Sequence, residues 1–274
     1  MLKDVSLGQF FPGTSLIHKL DPRIKLVLTF VYIIVLFICR GIASYSIIAA
    51  FMLIVILTTR INIRLIFKSL RPILILLAFT AILNVFYTKT GNEIFRLGSL
   101  SITTGGVYTA FFMAIRIILL VVGTFVMLTY TTSPIMLTDA LESLLSPLKK
   151  IHFPVHELSM MMSIALRFIP TLIEETDKIM SAQKSRGASF ETGSIVQRAK
   201  ALIPVLVPLF INALKRAEDL ALAMECRCYR GGEGRVRMHI LQLKTRDILS
   251  CIVSVAVFAT CVFLSYTVAF GAVI

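Results

Sequence analysis

The sequence predicts an all-α membrane protein with about five transmembrane helices and a cytoplasmic domain of long amphipathic helices. Three observations predict it. The 274 residues are 57% hydrophobic with mean hydropathy +0.87, above the roughly 45–50% apolar content of soluble domains. Charge-poor apolar runs dominate 26–130 and 248–274, with a basic stretch, 131–247, between them. Lys and Arg also alternate between loops. There are 4 in residues 1–25, 4 in 58–71 and 16 in 131–247, whereas the other two inter-span loops hold only Arg40, Lys89 and Arg96. That alternation is the positive-inside pattern, with the N-terminus, 60–71 and 131–247 in the cytoplasm and the C-terminus outside.

The first apolar run is Leu26–Cys39, short as a helix for a hydrocarbon core of roughly 30 Å. Lys25 and Arg40 at its ends extend it by snorkelling. Gly41–Thr59 is the second run. Arg60, Arg64, Lys68 and Arg71 follow at spacings that put them on one face of a helix at the cytoplasmic surface. Pro72–Tyr87 is the third run, and 88–104 is a polar loop with Gly91-Asn92. Gly106–Tyr130 is the fourth, interrupted only by Arg116, and Ile248–Ile274 is the fifth. The chain thus divides into a region with four transmembrane helices (1–130), a cytoplasmic domain (131–247) and a C-terminal transmembrane helix (248–274). Asp4, His18 and Asp21 precede any apolar run, so no cleaved signal peptide is expected.

Within 131–247, Ser133-Pro134 opens a helix with Asp139 and Glu142 early and Lys149-Lys150 late, as the macrodipole favours. Pro154 opens a second helix that runs to about Arg186 and ends at Gly187. Its apolar residues, among them Met161, Ala165, Phe168, Leu172 and Ile179, recur at three and four. Ser194 is the expected N-cap of a third helix reaching about Cys228, with a stripe through Ile203, Leu206, Phe210 and Leu214. Pro204 and Pro208 are expected to bend it. Each helix exceeds 30 residues, about 50 Å, and the two seams are expected to pack together. Their ends display Ser185-Arg186-Gly187 and Cys226-Arg227-Cys228. A cation in the last turn and a glycine just after it are ordinary helix endings. Two equivalent ends on paired helices point further, to docking by guanidinium forks on a partner's carboxylates or carbonyls.

Other chemistry is sparse. The net charge of +13 does not mark a nucleic-acid groove, because 131–247 also carries 12 Asp and Glu. Cys226, Cys228 and His239 lack the spacing of a metal set, and no disulfide framework is implied by Cys39, Cys251 and Cys261. Gly231-Gly232-Glu233-Gly234-Arg235 is a connector, since no phosphate-loop motif occurs. No catalytic constellation stands out, so neither an enzyme nor a resident cofactor is expected. Arg116 has no acidic partner in the other runs. Its expected role is structural, through backbone carbonyls, Asn84 or a tilted exit to the surface, with contact to a transported compound as the alternative.

Five segments carry a family resemblance. They are Phe11-Pro12-Gly13-Thr14-Ser15, Leu20-Asp21-Pro22-Arg23-Ile24-Lys25, Ile164-Ala165-Leu166-Arg167-Phe168-Ile169-Pro170-Thr171, Ser185-Arg186-Gly187-Ala188 and Ala223-Met224-Glu225-Cys226-Arg227. In order and over nearly the whole chain, they resemble the transmembrane T component of energy-coupling factor (ECF) transporters. The resemblance implies a helical membrane scaffold with a cytoplasmic coupling domain. It further implies two ABC-type ATPase partners (A and A′) and a small membrane S component that binds a vitamin or other micronutrient. Carried onto this chain, the ATPase-docking residues are Ser185, Arg186 and Gly187, and Cys226, Arg227 and Cys228. The family's second motif has a small residue and a glycine where Cys226 and Cys228 stand, so the way this helix ends is left open. A stand-alone secondary transporter would call for intramembrane ionisable residues and internal repeats, of which only Arg116 is present. A membrane enzyme acting on lipid substrates would call for clustered carboxylates or histidines, which the apolar runs lack. A membrane-anchored scaffold outside transport would be recovered from membranes without ATPases.

Overall fold

The computed structural model describes residues 13, 15–39, 41–88, 93–97, 100–151, 153–190, 192, 194–231 and 243–271. Phe11, Pro12, Thr14, Arg40, Lys89, Gly91-Asn92, residues 232–235 and His239 lie outside the described residues. Among the described residues nine α-helices follow in the order α1 (Pro22–Ile38), α2 (Ile42–Thr59), α3 (Ile63–Leu70), α4 (Ile73–Tyr87), α5 (Thr104–Thr124), α6 (Pro134–Leu145), α7 (Val155–Ser185), α8 (Ile195–Cys226) and α9 (Thr245–Gly271). Among the described residues the chain forms two compact units, one of residues 13–140 with 243–271, the other of residues 141–231.

The first unit is a helical bundle. Asp21 accepts from the Arg23 amide at 2.9 Å and Pro22 fills the first turn, so α1 starts where the local chemistry demands. α1, α2, α5 and α9 enclose a core that includes Tyr32, Leu36, Ile48, Met52, Val126, Tyr130, Phe258 and Cys261. Hydroxyls tie α9 to its neighbours: Ser44 donates to the Cys261 carbonyl at 3.2 Å and Ser265 to that of Ile38 at 3.3 Å. Tyr32 donates to the Leu119 carbonyl at 2.7 Å, and its ring lies so close to Gly123 that no side chain fits there. Beyond Thr124 the backbone widens into a π-helical turn, Phe125–Thr129, with the Tyr130 amide on the Phe125 carbonyl at 2.9 Å.

A buried polar group locks one end of the bundle. Asp247, at the start of α9, accepts from the amides of Asp21 (2.9 Å) and Lys244 (2.8 Å). Lys25 is 2% exposed and donates to the carbonyls of Thr131 (2.9 Å) and His18 (3.3 Å). It lies one residue before the first apolar run. Burial lowers its ammonium to about 8, against the opposing pull of Asp247 and Asp21.

Several sequence expectations need adjustment. Among the described residues four helical segments are long and apolar enough to cross a membrane: Ile42–Thr59, Thr104–Thr129, Val196–Cys226 and Thr245–Thr267. A fifth counts if α3 and α4, bent by 55°, form one broken span. α1, at 17 residues, falls short of that length, because its apolar run is only as long as the sequence suggested. The amphipathic α8 is long and apolar enough through a wide apolar face. The basic stripe is not one helix. Arg60 ends α2 in the left-handed region at φ 53° and Asn62 caps α3, so only Arg64 and Lys68 lie within α3. The loop 88–104 contains an antiparallel hairpin, β1 (Glu93–Leu97) with β2 (Leu100–Thr103), pairing Leu97 with Leu100 and Glu93 with Thr103.

Candidate docking site at two helix ends

The second unit presents the two arginine motifs. Its entry is fixed by Glu142, which accepts from Ser159 at 2.9 Å and pairs with His156 Nδ1 at 3.2 Å, joining the last turns of α6 to the first turns of α7. α7 then runs 31 residues through Pro170 without interruption, and α8 runs 32 through Pro204 and Pro208. Ser194 and Gln197 form a reciprocal capping box at the start of α8.

α7 and α8 touch in opposite chain directions. Gln183 reaches the Pro204 carbonyl at 3.5 Å. Eight residues earlier, Glu175 accepts from Asn212 at 2.5 Å and from Arg216 at 3.0 Å. Their C-terminal ends therefore lead away from the crossing in different directions. α7 and α8 pack on one another as expected, but their apolar seams close only in part. Val205 is buried, but Ile203, Leu206 and Phe210 are 55–65% exposed, and Met161 on α7 is 58% exposed. The periodicity marked the apolar face correctly, and a polar clasp at Glu175 adds to the crossing.

The two ends match bond for bond. At the first, the Gly187 amide donates to Lys184 (2.9 Å) and the Ala188 amide to Gln183 (3.0 Å). At the second, the Cys228 amide donates to Glu225 (2.8 Å) and the Tyr229 amide to Met224 (3.0 Å). Both are Schellman endings. Arg186 (φ −88°, ψ 8°) and Arg227 (φ −91°, ψ 14°) hold the same position in them. Gly187 supplies the left-handed residue at φ 87°; at the other end Cys228 adopts φ 54° without being glycine. The backbone geometry thus survives the replacement, at a conformational cost of about 1–2 kcal/mol for an L-residue. Ser185, Arg186, Gly187, Cys226, Arg227 and Cys228 are all exposed. Among the described residues neither guanidinium has a hydrogen-bond or ion-pair partner. What the arrangement offers is two free, identically posed forks of donors on stiff rods.

Cys226 and Cys228 are free thiols, and the described residues contain no cluster of three or more His, Cys, Asp or Glu that could hold a metal. Arg116 has the structural setting expected of it, in part through a backbone carbonyl, and its aromatic neighbours are the part the sequence did not indicate. Its Nε donates to the Tyr45 hydroxyl at 2.8 Å and Nη2 to the Cys39 carbonyl at 3.4 Å, with the guanidinium carbon 5.9 Å from the ring centres of Phe37 and Tyr45. Asn84 is not its partner; that amide bonds the Thr80 carbonyl. Glu175, Asn212 and Arg216 were also not singled out. Their signal was a carboxylate, Glu175, three residues after the stripe residue Leu172 and so on its face of the helix rather than opposite it.

Comparison with known proteins gives this architecture a family. The family described as Cobalt transport protein (CbiQ) matches residues 13–240. An "Energy-coupling factor transporter transmembrane protein EcfT" of Clostridium kluyveri is 52% identical over 251 residues, covering 91% of this chain and 93% of that protein. Proteins of the same name from Acidaminococcus fermentans and Bacillus subtilis are 46% and 45% identical, covering 97% and 96% of this chain and 98% of each relative. Fold and similarity together define a multi-pass helical membrane protein of transport. The chain belongs to the family of ECF transporter transmembrane T components.

Proposed function

We propose that this chain couples ATP hydrolysis by two ABC-type ATPase subunits to uptake of a vitamin or other micronutrient bound by a separate membrane S component. The chain itself makes and breaks no bonds. Residues 131–247 form the cytoplasmic coupling domain, Arg186 docks in a groove of one ATPase and Arg227 in a groove of the other. The observation that carries this reading is the equivalence of the two ends: the same Schellman geometry, the same arginine position, both exposed and, among the described residues, both unpaired. A guanidinium posed at a helix terminus reaches beyond the last turn, so carboxylates or backbone carbonyls in a partner's groove receive it bidentately. Closure of the ATPase pair on ATP would displace the two tips relative to each other. Helices of this length are stiff enough to carry that displacement along their axes, and the open apolar face of α8 is available to a membrane partner.

The test is co-purification of the ATPases with the chain from membranes. Wild type is expected to bring down both. Arg186→Ala and Arg227→Ala are each expected to weaken one attachment, and the double variant to lose both along with ATP-driven uptake. Uptake by the isolated chain in liposomes would favour a secondary transporter and overturn the proposal.

A further inference from the structure

The turn from α2 to α3 holds a second cationic feature that the docking reading does not use. Arg60 adopts the left-handed region at φ 53°, which turns the chain sharply out of α2. Asn62 then starts α3 by accepting from the Arg64 amide at 3.1 Å. The turn encloses a cavity of about 490 Å³ whose lining includes Gly13, His18, Arg60, Asn62, Arg64 and Lys68. Arg64 and Lys68, four residues apart, share one face of α3. Among the described residues none of the three cationic side chains has a hydrogen-bond or ion-pair partner.

Among the described residues no carboxylate lines the cavity. Between Asp21 and Asp139 the only acidic residue in the sequence is Glu93, which belongs to the hairpin. Among the described residues that line the cavity the charge is therefore uncompensated. It is also held in place. Leu65 and Ile66 pack against the bundle core, and Tyr130 donates to the Leu65 carbonyl at 3.2 Å, so α3 cannot roll its basic face inward. Beside that face, Ile63 and Phe67 are 60% and 68% exposed. An apolar stripe next to a basic one is the pattern of a helix lying at a lipid interface.

We infer that this cavity binds the phosphate of an anionic phospholipid headgroup, with Arg60, Arg64 and Lys68 as its donors. A soluble phosphate offers the same chemistry. The exposed Ile63 and Phe67 favour the lipid, because a soluble anion gains nothing from them.

The experiment uses the purified full-length chain in detergent, with lipid binding counted by native mass spectrometry. Phosphatidylglycerol is compared with phosphatidylcholine of the same acyl chains, and glycerol phosphate serves as the soluble probe. Wild type is expected to prefer phosphatidylglycerol by at least tenfold. Each removed cation should cost roughly fivefold, so Arg64→Gln/Lys68→Gln should bring the two lipids near parity and Arg64→Gln alone should lie between. Arg64→Lys/Lys68→Arg should retain the preference. Lys149→Gln/Lys150→Gln, which removes two exposed cations elsewhere, should leave it unchanged. The inference is overturned if the Arg64/Lys68 double variant keeps its preference or if the Lys149/Lys150 control loses as much. It is also overturned if glycerol phosphate binds as tightly as the intact lipid.

Discussion

The bundle and the long-helix unit solve the problem of being stable in opposite ways. In the bundle, Tyr32, Leu36, Ile48 and Val126 are at most 1% exposed, and the buried Lys25 and Asp247 have their partners. In the long-helix unit, α7 buries only Val155 and Ser159, while α8 leaves Ile203, Leu206 and Phe210 more than half exposed. Its order comes from a capping box and two Schellman endings within the helices and from two polar links between them, the Glu142 elbow and the Glu175 clasp. The difference teaches that one region is a finished structure and the other a surface. Burial measures where the chain satisfies itself, and its absence on an ordered helix marks where a partner is called for.

The largest expected effect lies in the bundle. Gly123→Val drives a branched side chain into the Tyr32 ring and should destabilise by about 3 kcal/mol, read from thermal unfolding in detergent. Phe210→Ser, an equally drastic change in polarity on α8, should alter stability by less than about 0.5 kcal/mol. Equal losses from the two would erase the contrast.

A smaller effect is expected at the clasp. Glu175→Ala removes two hydrogen bonds, one from a half-exposed Arg216, and should cost about 1 kcal/mol. Hydrogen exchange should show it as faster exchange at the crossing of α7 and α8, with the bundle unchanged. Cys228→Gly should stabilise the end of α8 by about 1 kcal/mol, since glycine takes the left-handed region without strain. The matching change at the other end, Gly187→Ala, should destabilise α7 by a similar amount. Smallest of all in stability is Arg186→Ala/Arg227→Ala. It should leave unfolding within about 0.5 kcal/mol of wild type and act only on docking.

How much of this was legible in the sequence depended on how local the cause was. Asp21-Pro22, Ser194 and Gly187 announce helix boundaries through neighbours within a few residues, and α1, α8 and α7 begin or end there. The apolar faces of α7 and α8 follow from a spacing of three and four. Periodicity says which face is apolar and is silent on how much of it a neighbour covers, so the seams of α7 and α8 meet only in part. Arg116 meets Tyr45 from 71 residues away, and no sequence spacing encodes that meeting. Cys228 was opaque for another reason. Preference for glycine at a left-handed cap is a matter of a kilocalorie or two, and two capping hydrogen bonds are enough to hold a cysteine there. The hairpin at 93–103 hid in a stretch whose polarity reads as a loop.

The central claim is that the two arginine tips are covered by ATPases in the assembled transporter. Cys226 and Cys228, both exposed, flank one tip and report on it without any substitution. The most direct measurement is maleimide labelling of these thiols, read by peptide mass spectrometry, in the isolated chain and in the complex with its ATPases. Strong labelling of the isolated chain and protection of both thiols in the complex is the expected result. Equal labelling in the two states would leave the Arg227 end facing solvent and contradict the docking account.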